Sequence, residues 1–395
     1  MSPSILIAGG GIAGPVLAFW LHRAGYKCTI VERSPVPRTT GQQIDLRGAS
    51  REIVRRMGLD DAIRSRSVEE EGIAFVDSSG KHLAEFRSRP DGASFTSDIE
   101  ILRGDLAAVF LEATEKNVEY LWGDYITGLD EQDDGIVAKF SRAEQRKFDL
   151  VVAADGMHSK TRKLVFDDSG ALYHLGQYMA YFTIPVCERD SSWATWYNAP
   201  GGRLILVRPD LKRQRTGAYL AVCNNEQPKE YLGRGVPDQM KMWDDLFKDA
   251  GGDAERVIKG MYTADDFYMQ QIAQVKMPQW SKGRVALLGD AAFCPSPISG
   301  VGTACAIEGA YILAGELTKH DDYKAGFAGY EKMMRPVIAK AQRLIPGTPA
   351  LANPQTSWGI SIMNGILSVV SWTGITNWLQ GAVLNELVDL PEYQM

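Results

Sequence analysis

Ser4-Ile5-Leu6-Ile7-Ala8 is an unbroken apolar run, and it predicts a short buried strand. A helical pattern follows over residues 15–23, Gly25 closes it, and a second apolar run over 26–31 ends at Glu32. Residues 150–154 form another continuous apolar run and stop at Asp155-Gly156. Residues 284–292 predict a buried strand ended by Asp290, then a turn stiffened by Pro295 and Pro297, then a helix opened by Gly300-Val301-Gly302. Between these blocks the pattern changes. The runs 178–186, 194–198, 203–207 and 217–223 are rich in Tyr, Trp, Thr and Val, and predict an inserted, mostly antiparallel sheet.

The C-terminal region requires a separate reading. No charged residue occurs from Leu344 to Asn385. Pro346, Pro349 and Pro354 break its first part. Beyond them Ile362, Met363, Ile366, Leu367, Val370, Trp378 and Leu379 recur at three- and four-residue steps. Interspersed Ser, Thr and Asn argue against a lipid-facing span, so the expectation is a buried helix packed across the domains, with no stable membrane insertion.

Length and composition narrow the classes. A chain of 395 residues accommodates two or three domains. The net charge of −6, without a long basic run, argues against nucleic acid as a partner. Five cysteines with no Cys-x-x-Cys pair and five scattered histidines argue against a disulfide framework and a zinc site. The first residues carry no basic, cleavable leader pattern, and a cytoplasmic location is expected.

The glycines carry the chemistry. Gly9-x-Gly11-x-x-Gly14 lies between a predicted strand and a helix, with Glu32 at the end of the next strand. Gly9 allows the tight turn, Gly11 admits a pyrophosphate against the backbone, and Gly14 brings helix and sheet together. Ala13 lies within this turn and Arg33 beside Glu32, and both are counted with the site. A carboxylate at Glu32 accepts hydrogen bonds from an adenosine ribose and repels a 2′-phosphate. Gly289-Asp290-Ala291-Ala292 is a second motif of another type almost 280 residues downstream. Two such motifs imply one long dinucleotide gripped by distant segments, and FAD fits. The segment Gly41 to Gly48, with Asp45 and Arg47, reads by itself as a polar loop. Arg103 opens a helix and has a surface pairing with Asp105 as its alternative. Asp155 stands beyond a strand's carboxyl end, where ligands bind in α/β sheets, with a turn-capping role as its alternative.

Together, Gly9-x-Gly11-x-x-Gly14 with Glu32, Asp155-Gly156-x-x-Ser159-x-x-Arg162, and Gly289-Asp290 through Pro297 and Gly300-x-Gly302 resemble the group A FAD-dependent aromatic hydroxylases, the para-hydroxybenzoate hydroxylase-like monooxygenases. Cys294-Pro295-Ser296-Pro297, Ile44-Asp45-Leu46-Arg47 and Leu390-Pro391-Glu392-Tyr393 look most like the branch with tetracycline-inactivating and polyketide-tailoring enzymes. Two positions depart from the pattern: Phe293 stands where many members have histidine, and Gly309 where aspartate is usual.

The resemblance implies an α/β fold. It has a Rossmann-like FAD-binding domain (1–170 and 276–345), an inserted β-sheet substrate domain (171–275) and a C-terminal bridging helix (346–395). It implies non-covalent FAD, transient NAD(P)H, O2, and hydroxylation of an aromatic or polycyclic molecule through a flavin C4a-hydroperoxide. Arg103 would reach the ribityl and phosphate region, Asp290 a ribityl hydroxyl, and Pro297, Gly300, Val301 and Gly302 the isoalloxazine. No catalytic side chain is implied. Tyr181, Trp196, Arg203 and Tyr219 are candidate substrate contacts, and Phe293 and Pro295 candidate parts of a dry wall. The alternatives are an FAD-dependent reductase on the same fold and a non-catalytic FAD-fold binding protein.

Overall fold

The computed structural model describes residues 2–38, 41–88, 99–373 and 390–395. Its centre is a six-stranded sheet in the order Ser281–Lys282, Val285–Leu287, Leu150–Ala153, Ser4–Ala8, Lys27–Glu32, Glu119–Trp122. All neighbours are parallel except the short first pair. The parallel strands are buried on both faces, which is why they read as unbroken apolar runs. Helix Ala13–Arg23 returns from the first strand and packs on helix Gly302–Lys319.

A second sheet has seven strands, in the order Tyr268–Val275, Leu172–Pro185, Arg215–Cys223, Arg203–Asp210, Trp193–Ala199, Gly72–Val76, His82–Arg87. It is antiparallel except where Trp193–Ala199 meets Gly72–Val76. The hairpin Gly72–Arg87 therefore belongs to this wide sheet, although a boundary at residue 170 assigns it to the FAD-binding part. Its sequence carries no mark of that membership, because the parallel partner lies over 110 residues away.

Alternation gives the wide sheet two different faces. Tyr178, Ala180, Phe182, Ile184, Ile205, Val207, Leu220 and Val222 face one way. They bury Trp243, Phe247, Val257 and Met261 of helices Val236–Phe247 and Ala254–Met261. Met179, Tyr181, Leu204, Tyr219 and Ile272 face the other way and meet Ile298, from the turn after the second glycine motif. A small sheet of Gln43–Asp45, Glu100–Leu102 and Ser67–Val68 joins the two large ones.

Among the described residues of the 346–395 segment, the C-terminal helix spans Ser357–Thr373. Trp378 and Leu379 lie outside the described residues. The helix rests on the hairpin strand His82–Arg87: Ser368 Oγ and Ser371 Oγ donate to the carbonyls of Leu83 and Glu85 at 2.7 and 2.8 Å. Leu367 and Val370 pack inward, while Ile362 and Ile366 are exposed. The expected buried helix is thus a half-covered one, because it lies on the rim of an edge strand instead of between domains. Among the described residues no helix is long and apolar enough to cross a membrane.

Candidate active site

The first glycine turn is built by backbone contact. Gly9 has φ +114°, and a Cβ there would stand 2.3 Å from the Ala154 carbonyl oxygen. A Cβ on Gly14 would stand 2.0 Å from the Gly9 oxygen. Gly11, by contrast, has nothing within 4 Å of that position. Two glycines thus bring chain segments together, and the third leaves room for a ligand against the helix start, which no side chain caps. Glu32 accepts from the Gly10 and Ser34 amides, each at 2.8 Å, which leaves further lone pairs for a ribose. Arg33 is exposed beside it.

The two motifs meet in space. Gly289 has φ +60°, and a Cβ there would lie 3.2 Å from that of Ala13 and 3.7 Å from that of Ala306. This glycine separates strand Val285–Leu287 from a short helix Asp290–Phe293, so Asp290 opens a helical turn instead of ending the strand. Burial pushes the Asp290 carboxyl up, and Arg103 pulls it the other way. Asp290 and Arg103, 187 positions apart, are therefore near enough in space to interact. Gly41 has φ +139° and lies against the Arg103 side chain, whose amide donates to the Gln42 carbonyl at 3.0 Å. Asp45 is bound to Arg47 at 3.0 Å, both largely buried.

Asp155 organises its own turn. Its carboxylate accepts the Ser159 hydroxyl and, at 3.1 and 3.0 Å, the Thr161 amide and hydroxyl. The capping alternative is what this side chain does here. Arg162 is fully buried and ties that turn to the second motif, donating to the Ala291 carbonyl at 2.9 Å.

Pro295 is buried 3.7 Å from a Cβ on Gly302, at the uncapped start of helix Gly302–Lys319. Pro297 and Gly300 are exposed and Val301 is buried. Ser296 Oγ and Gln43 Oε1 are buried polar atoms that find no partner among the described residues. Buried groups of this kind need a partner. Gln43 lines a cavity with Tyr181, Tyr219 and Tyr268, and these unpartnered atoms together with the open side of Gly11 fit a long, polar, phosphate-bearing cofactor.

Four candidate substrate residues separate by parity. Tyr181, Trp196 and Tyr219 lie on the sheet face turned toward Ile298. Arg203 faces the opposite side and is bound to the carbonyls of Pro200 and Leu246 at 2.7 and 2.8 Å and to Asp249. Phe293 is a further correction. Its ring is buried in the core, with its centroid 4.8 Å from that of Trp280, and lines no cleft. It turns there because the 293–309 contact leaves room: a Cβ on Gly309 would lie only 3.1 Å from the ring.

Sequence reasoning missed Gln42, Gln43 and Tyr268. Tyr268 donates to Gln42 Oε1 at 2.7 Å, and the Gln43 amide donates to the Tyr219 hydroxyl at 2.9 Å. Tyr181 stacks on Tyr268 with centroids 4.9 Å apart, and a small cavity opens between these tyrosines and the two glutamines. Burial pushes the pKa of all three phenols up, which keeps them neutral donors and acceptors. The only sequence signal was the polar, glycine-bounded loop itself.

Comparison with known proteins agrees with this geometry. Residues 3–343 match the family described as FAD binding domain. The monooxygenase CTB7 of Cercospora beticola is 36% identical over 407 residues, covering 98% of this chain and 97% of that protein. The crystal structure of tetracycline destructase Tet(55) superposes with a TM-score of 0.80 at 30% identity, covering 99% of each chain. HpxO of Klebsiella pneumoniae, solved with FAD and uric acid, shares the fold with a TM-score of 0.77 at 19% identity, over 96% of each chain. The chain belongs to the FAD-binding-domain family of flavin-dependent monooxygenases.

Proposed function

We propose that this protein hydroxylates an aromatic or polycyclic small molecule of polyketide or tetracycline-like character, consuming NAD(P)H and O2. The observation that carries this reading is the aromatic-apolar sheet face of Met179, Tyr181, Leu204 and Tyr219, with Trp196 partly buried against it, which meets Ile298 beside the second glycine motif. A flat apolar ligand between that face and the flavin would be held close and dry, as oxygen transfer requires.

The residues have distinct tasks. Gly9, Gly11, Ala13 and Gly14 cradle the pyrophosphate and Glu32 takes the ribose. Arg103 and Asp290 hold the ribityl chain, and Gly41, Asp45 and Arg47 shape the loop beside the ring. Pro297, Gly300, Val301 and Gly302 lie along the isoalloxazine. The start of helix Gly302–Lys319, which no side chain caps, would offer its free amide N–H groups to the negative charge of the reduced ring. Bound FAD, once reduced, supplies activated oxygen from O2. Pro295, Tyr181, Trp196 and Tyr219 position the substrate and exclude water. The similarity to CTB7, a monooxygenase, supports the reaction, and that to Tet(55), a tetracycline destructase, the substrate class.

The test is a product mass. The purified protein is incubated with FAD, NAD(P)H, 18O-labelled O2 and a panel of phenolic and polycyclic compounds. One labelled oxygen atom per product is expected. Reduction of a substrate double bond without label would replace the reading with a reductase.

A further inference from the structure

A buried ion cluster lies at the end of the substrate-facing wall, on the same sheet face as Leu204 and Tyr219. Arg208 grips Glu70 with two hydrogen bonds of 3.0 and 2.9 Å, and also contacts Glu100. The Glu70 and Glu100 side chains are each 1% exposed. Three parts of the fold meet here. Arg208 belongs to the wide sheet, Glu100 to the small sheet, and Glu70 to the chain crossing between them. Asp45, paired with Arg47, stands opposite Glu100 across the small sheet. Tyr219 faces Arg208 from the neighbouring strand. Among the described residues, two guanidinium groups thus face three carboxyls.

One carboxyl is left over. Glu100 Oε2 finds no donor among the described residues, and through Oε1 Glu100 shares the Arg208 guanidinium with the Glu70 carboxylate. Two carboxylates attract only when a proton lies between them. Burial pushes Glu100 up, Arg208 opposes this, and Glu70 and Asp45 add to the rise. We propose that Glu100 is a positioning residue that, carrying a proton shared with Glu70, holds the small sheet on the wide sheet and so sets the loop Gly41–Gln43 against the cofactor. The link to the cofactor is short. Glu100–Leu102 pairs with Gln43–Asp45, and Gln43 and Gln42 are bound to Tyr219 and Tyr268. This inference rests on the reading that the loop borders FAD.

The sign follows from the raised ionisation. The contribution is fully present below the ordinary carboxyl range and is lost as pH rises through the folded-state value, where the cluster gains an uncompensated negative charge. The experiment measures FAD affinity of the full-length protein by equilibrium titration from about pH 6 to about pH 10, above the ordinary carboxyl range. Wild type is expected to weaken by about tenfold or more on the alkaline side, the equivalent of one unit of linked ionisation. Glu100→Gln keeps a hydrogen-bond donor at this position at all pH values, and should remove the alkaline step. Glu70→Gln, which leaves Arg208 with a single carboxylate, should remove it too and decides the matter if Glu100→Gln does not fold. A flat wild-type profile, or a step that persists in both variants, overturns the proposal. The infrared band of protonated carboxyl groups, recorded without FAD, separates it from the cofactor reading: the band should shrink in Glu100→Gln even if FAD did not bind, and an unchanged band overturns the shared proton.

Discussion

The two ends of the cleft are built from different materials. At the nucleotide end the chain grips with backbone: Gly9, Gly14 and Gly289 bring carbonyls and helix starts within contact, and side chains add little beyond Glu32. At the substrate end the wall is made of side chains from separate strands, and its polar atoms are tied to one another, Tyr268 to Gln42 and Tyr219 to the Gln43 amide. A backbone grip fixes one ligand and tolerates no added atom. A side-chain wall changes with each substitution while the sheet behind it stays.

The largest expected effect probes the core beneath the nucleotide end. Phe293 and Gly309 depart together from the pattern of related monooxygenases, and the structure shows why. The Phe293 ring fills the space that a side chain at 309 would take. Gly309→Asp should push a carboxylate against this ring and destabilise the protein by about 3–5 kcal/mol, as an uncompensated buried charge does. Adding Phe293→His should recover at least about 1 kcal/mol, the coupling of residues in contact. Urea unfolding of the flavin-free proteins measures both. Additive losses would show the two departures to be independent.

A pair of glycine variants tests the grip itself. Gly14→Ala places a methyl group 2.0 Å from the Gly9 oxygen and should lower flavin-free stability by about 1–3 kcal/mol or more, as overpacking does. Gly11→Ala meets nothing within 4 Å and should leave that stability nearly intact, yet weaken FAD binding. Thermal melts and FAD titrations separate the two. Similar melts for both variants would contradict the division between packing and ligand glycines.

Asp290 lies between the two regimes. Its carboxyl is raised by burial, against the pull of Arg103, so its ionisation works against folding and the penalty grows as pH rises. Asp290→Asn should melt at or above the wild-type temperature without flavin near neutral pH, with a gap that closes in acid. FAD binding should weaken by about 1–3 kcal/mol, the scale of a charged hydrogen bond. A lower flavin-free melting temperature would make Asp290 a stabilising residue.

The contrast between the ends also governs what was legible in the sequence. Gly9, Gly11, Gly14 and Glu32 act within one βαβ unit, so their spacing carries their geometry. The strands 150–154 and 284–288 were readable because burial on both faces leaves an apolar run. Parity in the wide sheet was not readable. Tyr181, Trp196 and Tyr219 look no different in sequence from Arg203, and only pairing decides which face each takes. Phe293 misleads because proximity in sequence to Asp290 does not decide where its ring goes: the ring packs against Trp280 and over Gly309, partners distant from any local pattern. Glu70, Glu100 and Arg208 are brought together by non-local pairing and left no local pattern.

The smallest effect bears most directly on the side-chain wall. Tyr219→Phe removes only an oxygen, but strands the Gln43 amide, which now donates to it at 2.9 Å; the expected loss is about 1–2 kcal/mol. Loosening this loop at the cleft admits water, so a larger share of NAD(P)H consumed in the presence of a turned-over substrate should end as H2O2. Arg203→Gln is the matched variant on the other face. It gives up contacts at the end of helix Val236–Phe247 and should lower stability by about 1 kcal/mol or less. Its peroxide yield should equal that of wild type, because Arg203 and the cleft lie on opposite sides of the sheet. Equal yields from the two variants would show that the face of the sheet does not decide which side chains reach the reaction.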